Sequence, residues 1–443
     1  MDKLALFGGS PLLRSEDHGR WPQVTAEDKA AVMEVLDRGL LSGMYAPATR
    51  AFEADFAKYV GAKHALLTHC GTSALQLAVA AAGIGAGDEV IVPAYTFIAT
   101  AFACLQEGAI PIFADVDEYT GLIDPASVEA AISPRTRAIM PVHVHGCPAD
   151  LNALSAIAKK HNLLLLEDAA QAHGATYQGK PVGALFAAGG FSLQSSKNLS
   201  AGEGGVFVTN DDAIAEQAIR LRNFGQDVIA DDARHFDLVR PLDGHRGLES
   251  LRIGSMYRGN EMMAAFARTQ LARLPELTSR AQTHFQKMSH ALSELPGLKM
   301  QAIGSDRTSV HHKVRLWLDP KAAGVPMSTT AFRDGFIKAL RAEGVEVVLW
   351  QNAPVPEHAV FQKMEGFGRN SPWSAGGAEA MQFARKNYAM KYEATRRLLD
   401  GSVILFSQSC PLIAQNEHVV GKTIQAIQKV WHHRGDLARA VAQ

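Results

Sequence analysis

The chain reads as an α/β protein, with a large domain on a mostly parallel sheet and a smaller C-terminal α/β domain. Three observations predict this. Short apolar runs alternate with helical patterns from residue 65 to about 221, the signature of strand–helix–strand units. Several of those runs lack polar alternation, as strands do when helices cover both faces of a sheet. The 443 residues exceed one ordinary core, and a fresh strand–helix–strand pattern begins near Val314, so a second domain is expected.

In order, the first 25 residues read as an irregular arm, with Gly8, Gly9, Pro11 and Pro22 breaking any periodicity. Thr25 then caps a helix reaching about Arg38, with Glu27 and Asp28 in its first turn, where acids suit the helix dipole. A second amphipathic helix is expected over 50–60. Strands are predicted at 65–68, 89–92, 110–114, 138–142, 163–167, 190–193 and 206–209. Helices are predicted between them at 73–82, 96–107, 125–132, 150–161 and 211–221. Residues 222–254 form a long polar connection, and loops of that length are usually functional or mobile. Helix follows from 260 to 274 and on through 295. Beyond it come a strand (314–318), a helix (329–343) and a strand (345–349). A proline-containing loop spans 351–377, and helices at 379–399 and 419–430 flank a strand at 403–406. The expected division is an arm (1–25), a large domain (26–275) and a small domain (276–443). No internal repeat or low-complexity tract interrupts it.

Composition narrows the function classes. Hydrophobic residues make up 47% and charged residues 20%, as in ordinary soluble globular proteins. The formal net charge of -1 gives no case for nucleic acid or anionic membranes as partners. Cys70, Cys104, Cys147 and Cys410 lie far apart with no CxxC pair, so neither a zinc site nor a disulfide framework is suggested, and no metal is expected. No apolar stretch approaches a membrane span and no leader is evident, so a cytoplasmic location is expected.

The stretch that organises the chain is Phe191-Ser192-Leu193-Gln194-Ser195-Ser196-Lys197-Asn198-Leu199, followed by Gly202-Glu203-Gly204-Gly205. A lysine between an apolar run and a glycine-rich turn is open to desolvation, which disfavours its ammonium form. The neutral amine is what a Schiff base with an aldehyde requires. The competing reading is a solvated surface lysine at a turn. Upstream, Cys70-Gly71-Thr72-Ser73 joins a strand to a helix. Free amides at a helix start, two hydroxyls and a glycine make a phosphate cradle, or a plain helix cap. Leu163–Leu166 is a buried strand ending in Glu167 and Asp168. Ligands of open α/β sheets bind just past that end, where an acid could pair with a protonated ring nitrogen. The alternative is an Asp168 that only caps the next helix. His173 reads as a packed histidine rather than an acid–base catalyst. Tyr95 or Phe97, after another strand, could lie against a planar ring, or belong to the core. Gly83-Ile84-Gly85-Ala86-Gly87 follows a helix and precedes a strand, the reverse of what a dinucleotide fingerprint needs, so it reads as a turn.

With these motifs in order, the chain resembles the DegT/DnrJ/EryC1/StrS sugar aminotransferases, over nearly its whole length. The likeness is most specific in 71–75, 93–97, 167–174, 191–205 and Arg222-Asn223-Phe224-Gly225. Gln194 and the Gly202–Gly205 run resemble the aminocyclitol and 3-amino-5-hydroxybenzoate synthase branches. The resemblance implies fold type I of the pyridoxal 5'-phosphate enzymes, similar to aspartate aminotransferase. It implies that Lys197 forms the internal aldimine and shuttles the proton, that Asp168 holds the pyridinium nitrogen, and that Gln171 holds the phenolic oxygen. Phe97 matches the stacking aromatic, and Gly71, Thr72 and Ser192 match phosphate contacts, with Ser73 beside them in the cradle. The expected activity moves an amino group from an amino acid, glutamate or glutamine, to a keto-sugar or keto-cyclitol. The implied assembly is a homodimer with shared active sites. Other fold type I chemistry, an aromatising dehydratase or an amine transaminase on a non-sugar ketone, is a second expectation, and a non-catalytic cofactor-binding regulator a third. One departure stands out: Met256 occupies the position where the family usually has an Asn donated across the dimer to the phosphate, with Ser255 or Asn260 as substitutes. Trp350, Gln351, Asn352 and Trp373, in or beside the second long loop, are candidates for recognising the acceptor ring.

Overall fold

A computed structural model describes residues 3–43, 46–226 and 249–438. Its centre is a seven-stranded sheet in the order 64–68, 205–209, 188–192, 164–168, 136–139, 89–93, 110–114. The five strands from 188–192 to 110–114 run parallel, and 205–209 is antiparallel to both its neighbours. The strands 89–93, 110–114, 188–192 and 205–209 are buried at every residue, which is why they read as continuous apolar runs rather than alternating ones. The leucine-rich strand is Leu164–Asp168, with three of the four leucines, so the aspartate is its last residue, at the C-terminal edge of the sheet.

Helix Gly71–Ala81 packs on this sheet with eight buried residues. The approach is close: a Cβ at Gly190 would lie 2.8 Å from the Leu75 side chain. Helix Glu261–Leu292 then runs 32 residues with Pro275 inside it, so the expected domain boundary at 275/276 falls within one continuous helix. Beyond it, a four-stranded antiparallel sheet (298–300, 314–318, 402–405, 347–348) forms the smaller layer, packed by helix Thr329–Ala342, against which helix Glu417–His432 lies through Trp431 on Phe332 and Phe336.

One feature departs from the sequence reading. The single helix expected over 379–399 is two, Gly377–Tyr388 and Glu393–Gly401. The Asp115 carboxylate, distant in sequence, accepts the Ala394 and Thr395 amides at 3.0 and 2.9 Å and so starts a second helix. The N-terminal arm is not loose. Ala5 donates to the Glu343 carboxylate, Leu12 and Leu13 donate to the Glu343 carbonyl, and Trp21 donates its backbone amide to Ser409. Among the described residues no helix is long and apolar enough to cross a membrane. Most of the first long loop, residues 227–248, lies outside the described residues.

Candidate active site

The hairpin-like connection between strands 188–192 and 205–209 carries the lysine. Ser192 and Gly205 are register partners. The connection closes on itself through Ala201 to Leu193 at 2.8 Å and Ser195 to Gly202 at 2.7 Å. The turn holding Lys197 is pinned twice more. Its amide donates to the Gln194 carbonyl at 2.8 Å, and its own carbonyl accepts the Trp21 indole N–H of the arm at 2.8 Å. This fixes the backbone beneath a side chain that projects into a cavity of about 410 Å³. Burial lowers the Lys197 pKa to about 8, while Asp168 opposes the shift.

Of the sequence candidates, Gly71, Thr72, Phe97, Asp168, Gln171, Ser192 and Lys197 all line this one cavity. Ser73 does not. It is fully buried, and its hydroxyl donates to the Cys70 carbonyl at 2.8 Å as part of the helix cap. A larger groove of about 800 Å³ between the long helix and the strand 298–300 holds none of the candidates.

Asp168 is buried, with Oδ2 accepting the Thr100 hydroxyl at 2.7 Å and Oδ1 the Ala170 amide at 3.0 Å. Burial raises its pKa; these hydrogen bonds and the Lys197 charge oppose the rise without cancelling it. The carboxylate is therefore short of a cationic partner, which a protonated ring nitrogen would be. Gln171 accepts the His145 amide on Oε1 at 2.8 Å, leaving its N–H groups as donors for an anionic oxygen. Gly71 is required where it stands, since a Cβ there would lie 2.6 Å from Ser192 Cβ. The two backbones thus meet at a helix start, where unpaired amides receive an anion. Phe97 is more than half exposed yet lines the cavity. An electron-poor ring with a phosphate, a phenolic oxygen and an aldehyde fits this set of groups.

His173 is buried against Phe191 with ring centroids 5.3 Å apart, and burial drives its pKa to about 3. It is a neutral packing residue. Glu167 is spent on the Gly183 and Leu185 amides and on His143. Tyr95 is core rather than a cavity wall; its hydroxyl pairs with His145 Nε2 at 2.7 Å.

The second long loop divides. Trp350 lines the cavity, edge-on to His145 and Tyr95 at 4.9 and 5.1 Å. Gln351 donates to the Thr96 carbonyl. Trp373 is fully buried elsewhere, its indole N–H bonded to the Tyr388 hydroxyl at 2.9 Å, so it belongs to the core and does not face an acceptor; Asn352 is also outside the lining. Met256 is bridged to Asn223 in backbone pairing with its side chain nearly half exposed. Asn260 caps the long helix by accepting the Met263 amide at 2.9 Å, so its side-chain oxygen is already occupied.

Sequence reasoning missed Thr100, His312, Lys313 and Gln408. Thr100 lies one turn beyond Thr96 and needs the fold to meet Asp168. The other three come from the small domain, where the run His311-His312-Lys313 before a strand was the available signal. This segment is held against the large domain by Asn198 Nδ2 to the Val310 carbonyl at 2.9 Å and Val310 N–H to the Gly146 carbonyl at 3.1 Å.

Comparison with known proteins agrees with this arrangement. The profile of the DegT/DnrJ/EryC1/StrS aminotransferase family matches residues 22–377. A putative L-glutamine:3-amino-2,3-dideoxy-scyllo-inosose aminotransferase of Streptoalloteichus tenebrarius is 38% identical over 351 residues, covering 78% of this chain and 79% of its own. The aminotransferase structure from Psychrobacter cryohalolentis superposes with a TM-score of 0.80 at 29% identity, over 94% of this chain and 99% of that one. A 3-amino-5-hydroxybenzoic acid synthase structure gives 0.76 at 29%, over 96% and 100%. A sheet that delivers Asp168 and Lys197 to one cavity, and a family profile running through both, lead to one conclusion: the chain belongs to the DegT/DnrJ/EryC1/StrS aminotransferase family.

Proposed function

We propose that this aminotransferase uses pyridoxal 5'-phosphate to move an amino group from glutamine or glutamate to a keto-sugar or keto-cyclitol. The observation that carries this is Lys197, partly buried with its pKa lowered to about 8, in the same cavity as the buried Asp168 carboxylate. The relative named for L-glutamine and a scyllo-inosose supports the substrate classes. Bound cofactor would supply an aldehyde carbon and a ring that takes up an electron pair from the substrate carbon. The chain's own residues do the rest. Lys197 would hold that aldehyde through its amine, and the same amine would carry the proton to and from the substrate carbon. Its lowered pKa leaves a usable fraction of neutral amine near neutrality. Asp168, oriented by Thr100, would keep the ring nitrogen protonated. The amides at the start of helix Gly71–Ala81, with Thr72 and Ser192, would hold the phosphate; Gln171 would donate to the phenolic oxygen, and Phe97 would cover the ring. Ser73 contributes by capping that helix.

The same reading divides the chain into an arm (1–25), a large domain (26–275) and a small domain (276–443). It also includes a homodimer with shared sites. Ile253 is nearly fully exposed and Leu251 and Met256 about half so, an apolar surface that supports a second copy. A second reading, an aromatising dehydratase, draws on the likeness to the 3-amino-5-hydroxybenzoic acid synthase. The test is to load the protein with pyridoxal 5'-phosphate, follow its absorption band as amino acids are added, and treat the loaded protein with borohydride. Loss of the band with glutamine or glutamate, and cofactor fixed on the peptide containing Lys197, are expected. No response to any amino acid, or another labelled lysine, would refute it.

A further inference from the structure

We propose that Lys313, at the head of the small-domain strand 314–318, reads the α-carboxylate of the amino donor in the cavity that holds Lys197. The inference rests on the function proposed above and adds to it a residue that tells the two substrates apart.

Lys313 is 4% exposed, and its Nζ has no hydrogen-bond or ion-pair partner among the described residues, yet the side chain lines the cavity. A buried ammonium without a counter-ion is costly to keep, so such groups are normally paired. The acids of the cavity do not serve. Asp168 is tied to Thr100 and the Ala170 amide, and Glu203 is an exposed residue. The other titratable or charged groups around it, Lys197, His145, His312 and Arg315, offer no negative charge either; His145 and His312 are kept neutral chiefly by burial. The wall contributed by the small domain thus presents an unmatched cation to whatever enters.

The phosphate has its own place at Gly71, Thr72 and Ser192 on the large domain, which leaves the substrate as the anion for Lys313. A transaminase admits two substrates in turn to one cavity. The amino donor brings a carboxylate at the reacting carbon; a hydroxylated cyclic ketone brings none. A guanidinium, charged at every working pH, would be left uncompensated in the second case. Lys313 is different: burial, reinforced by the Lys197 charge, lowers its pKa to about 8. It can hold its proton opposite a carboxylate and release it when a neutral ring takes the same space. One side chain then serves both half-reactions.

The test uses the pyridoxal 5'-phosphate holoenzyme and two amines, L-glutamine and its decarboxylated analogue, following loss of the cofactor's absorption band. Lys313→Met should raise the half-saturating L-glutamine concentration about 10- to 100-fold, as loss of a charged hydrogen bond does, and leave the decarboxylated amine unchanged. Lys313→Arg should restore binding of L-glutamine. A second measurement does not depend on turnover: calorimetry of glutarate binding in buffers of different ionisation enthalpy, at about pH 9, should show proton uptake that Lys313→Met lacks. Lys313→Gln repeats both experiments should the Met variant fail to fold. A reactive wild type with an unchanged glutamine dependence in the variants overturns this inference alone. Loss of bound cofactor from the variants also overturns it, by placing Lys313 on the cofactor. A wild type silent to every amino acid overturns the aminotransferase reading and this inference with it.

Discussion

Thr100 Oγ1 donates to Asp168 Oδ2 at 2.7 Å, from the helix that follows one parallel strand to the last residue of another. With the Ala170 amide on the other oxygen, both carboxylate oxygens are oriented by the protein before any ligand arrives. The geometry separates a tuning role from a helix cap, since a cap needs only the amide. Asp168→Asn should fold normally and lose roughly 10²-fold or more in the proton-transfer rate. Thr100→Val removes one neutral donor to a charged group and should lose about tenfold. Single-turnover kinetics on cofactor-loaded protein measure both. Near-wild-type rates in the Asn variant would leave Asp168 a purely structural residue.

Lys197 and Lys313 also predict the stability of the cofactor-free protein. Both have folded-state pKa values near 8, against 10.5 for an ordinary lysine. Between those values the unfolded chain binds protons that the folded chain does not, so folding stability rises with pH. Each lysine should add about 2 kcal/mol between pH 8 and pH 10. Denaturant midpoints of the apoprotein, followed across this window, should gain less in Lys197→Met than in wild type and less again in Lys197→Met/Lys313→Met, while the Cys104 and Cys147 thiols, raised by burial, pull the other way in all three. Above the window the trend reverses, because buried Tyr95 and Tyr388, raised mainly by burial, resist ionising when folded. Profiles that coincide in wild type and both lysine variants would mean that neither ammonium is desolvated.

Much of this site was legible in the chain because its parts are local. A strand end and a turn lie within a few residues of one another at Gly71, Asp168 and Lys197, with a helix start at Gly71, and each carries its own periodicity and turn chemistry. What failed was non-local. Ser73 and Thr72 are equivalent as hydroxyls in sequence, and only the cap geometry turns one inward and the other to the cavity. Trp350 and Trp373 both read as loop aromatics, yet the first stands in the cavity wall and the second in the core with Tyr388. Asp115 breaks a helix nearly 280 residues away, as no local signal could indicate. Lys313 reaches the cavity because a small-domain segment is bound to the 143–147 turn of the large domain.

The contact between Gly71 and Ser192 allows a sharper test of the phosphate cradle. Gly71→Ala would place a Cβ 2.6 Å from Ser192 Cβ, a clash that must move either the helix start or the strand. Cofactor affinity should fall about tenfold or more, since the amides shift from where the phosphate would lie. Adding Ser192→Gly removes the opposing Cβ and should recover part of the loss, though not the hydroxyl's share. Equilibrium dialysis of pyridoxal 5'-phosphate against the three variants measures this. An unaltered affinity in Gly71→Ala would exclude this helix start from the cradle.

The acceptor should be a hydroxylated cyclic ketone rather than a plain aliphatic ketone or a 2-oxo acid. Trp350 stands in the cavity wall at 85° to Tyr95 and 65° to His145, and the Tyr95 hydroxyl is bonded to His145. Two edge contacts and a buried hydrogen bond hold the indole in one orientation. A fixed indole suits the face of a sugar or cyclitol ring, whose axial C–H groups pack on aromatic surface. Gln408, also in the lining, offers an amide donor and acceptor to ring hydroxyls, whereas the Gln194 amide is engaged by Ser195 and Ser196. A 2-oxo acid or a small aliphatic ketone would leave the Gln408 amide and the indole face without a matching ring. Pyridoxamine-loaded enzyme should therefore respond to keto-cyclitols or nucleotide keto-sugars in a panel that also contains aliphatic ketones and 2-oxo acids. Trp350→Leu should lower kcat/KM for the cyclic acceptor by about tenfold, the scale of one lost aromatic contact. Its half-reaction with the decarboxylated amine should hold steady. Rapid turnover of aliphatic ketones with no response to any hydroxylated ring would eliminate the cyclic acceptor.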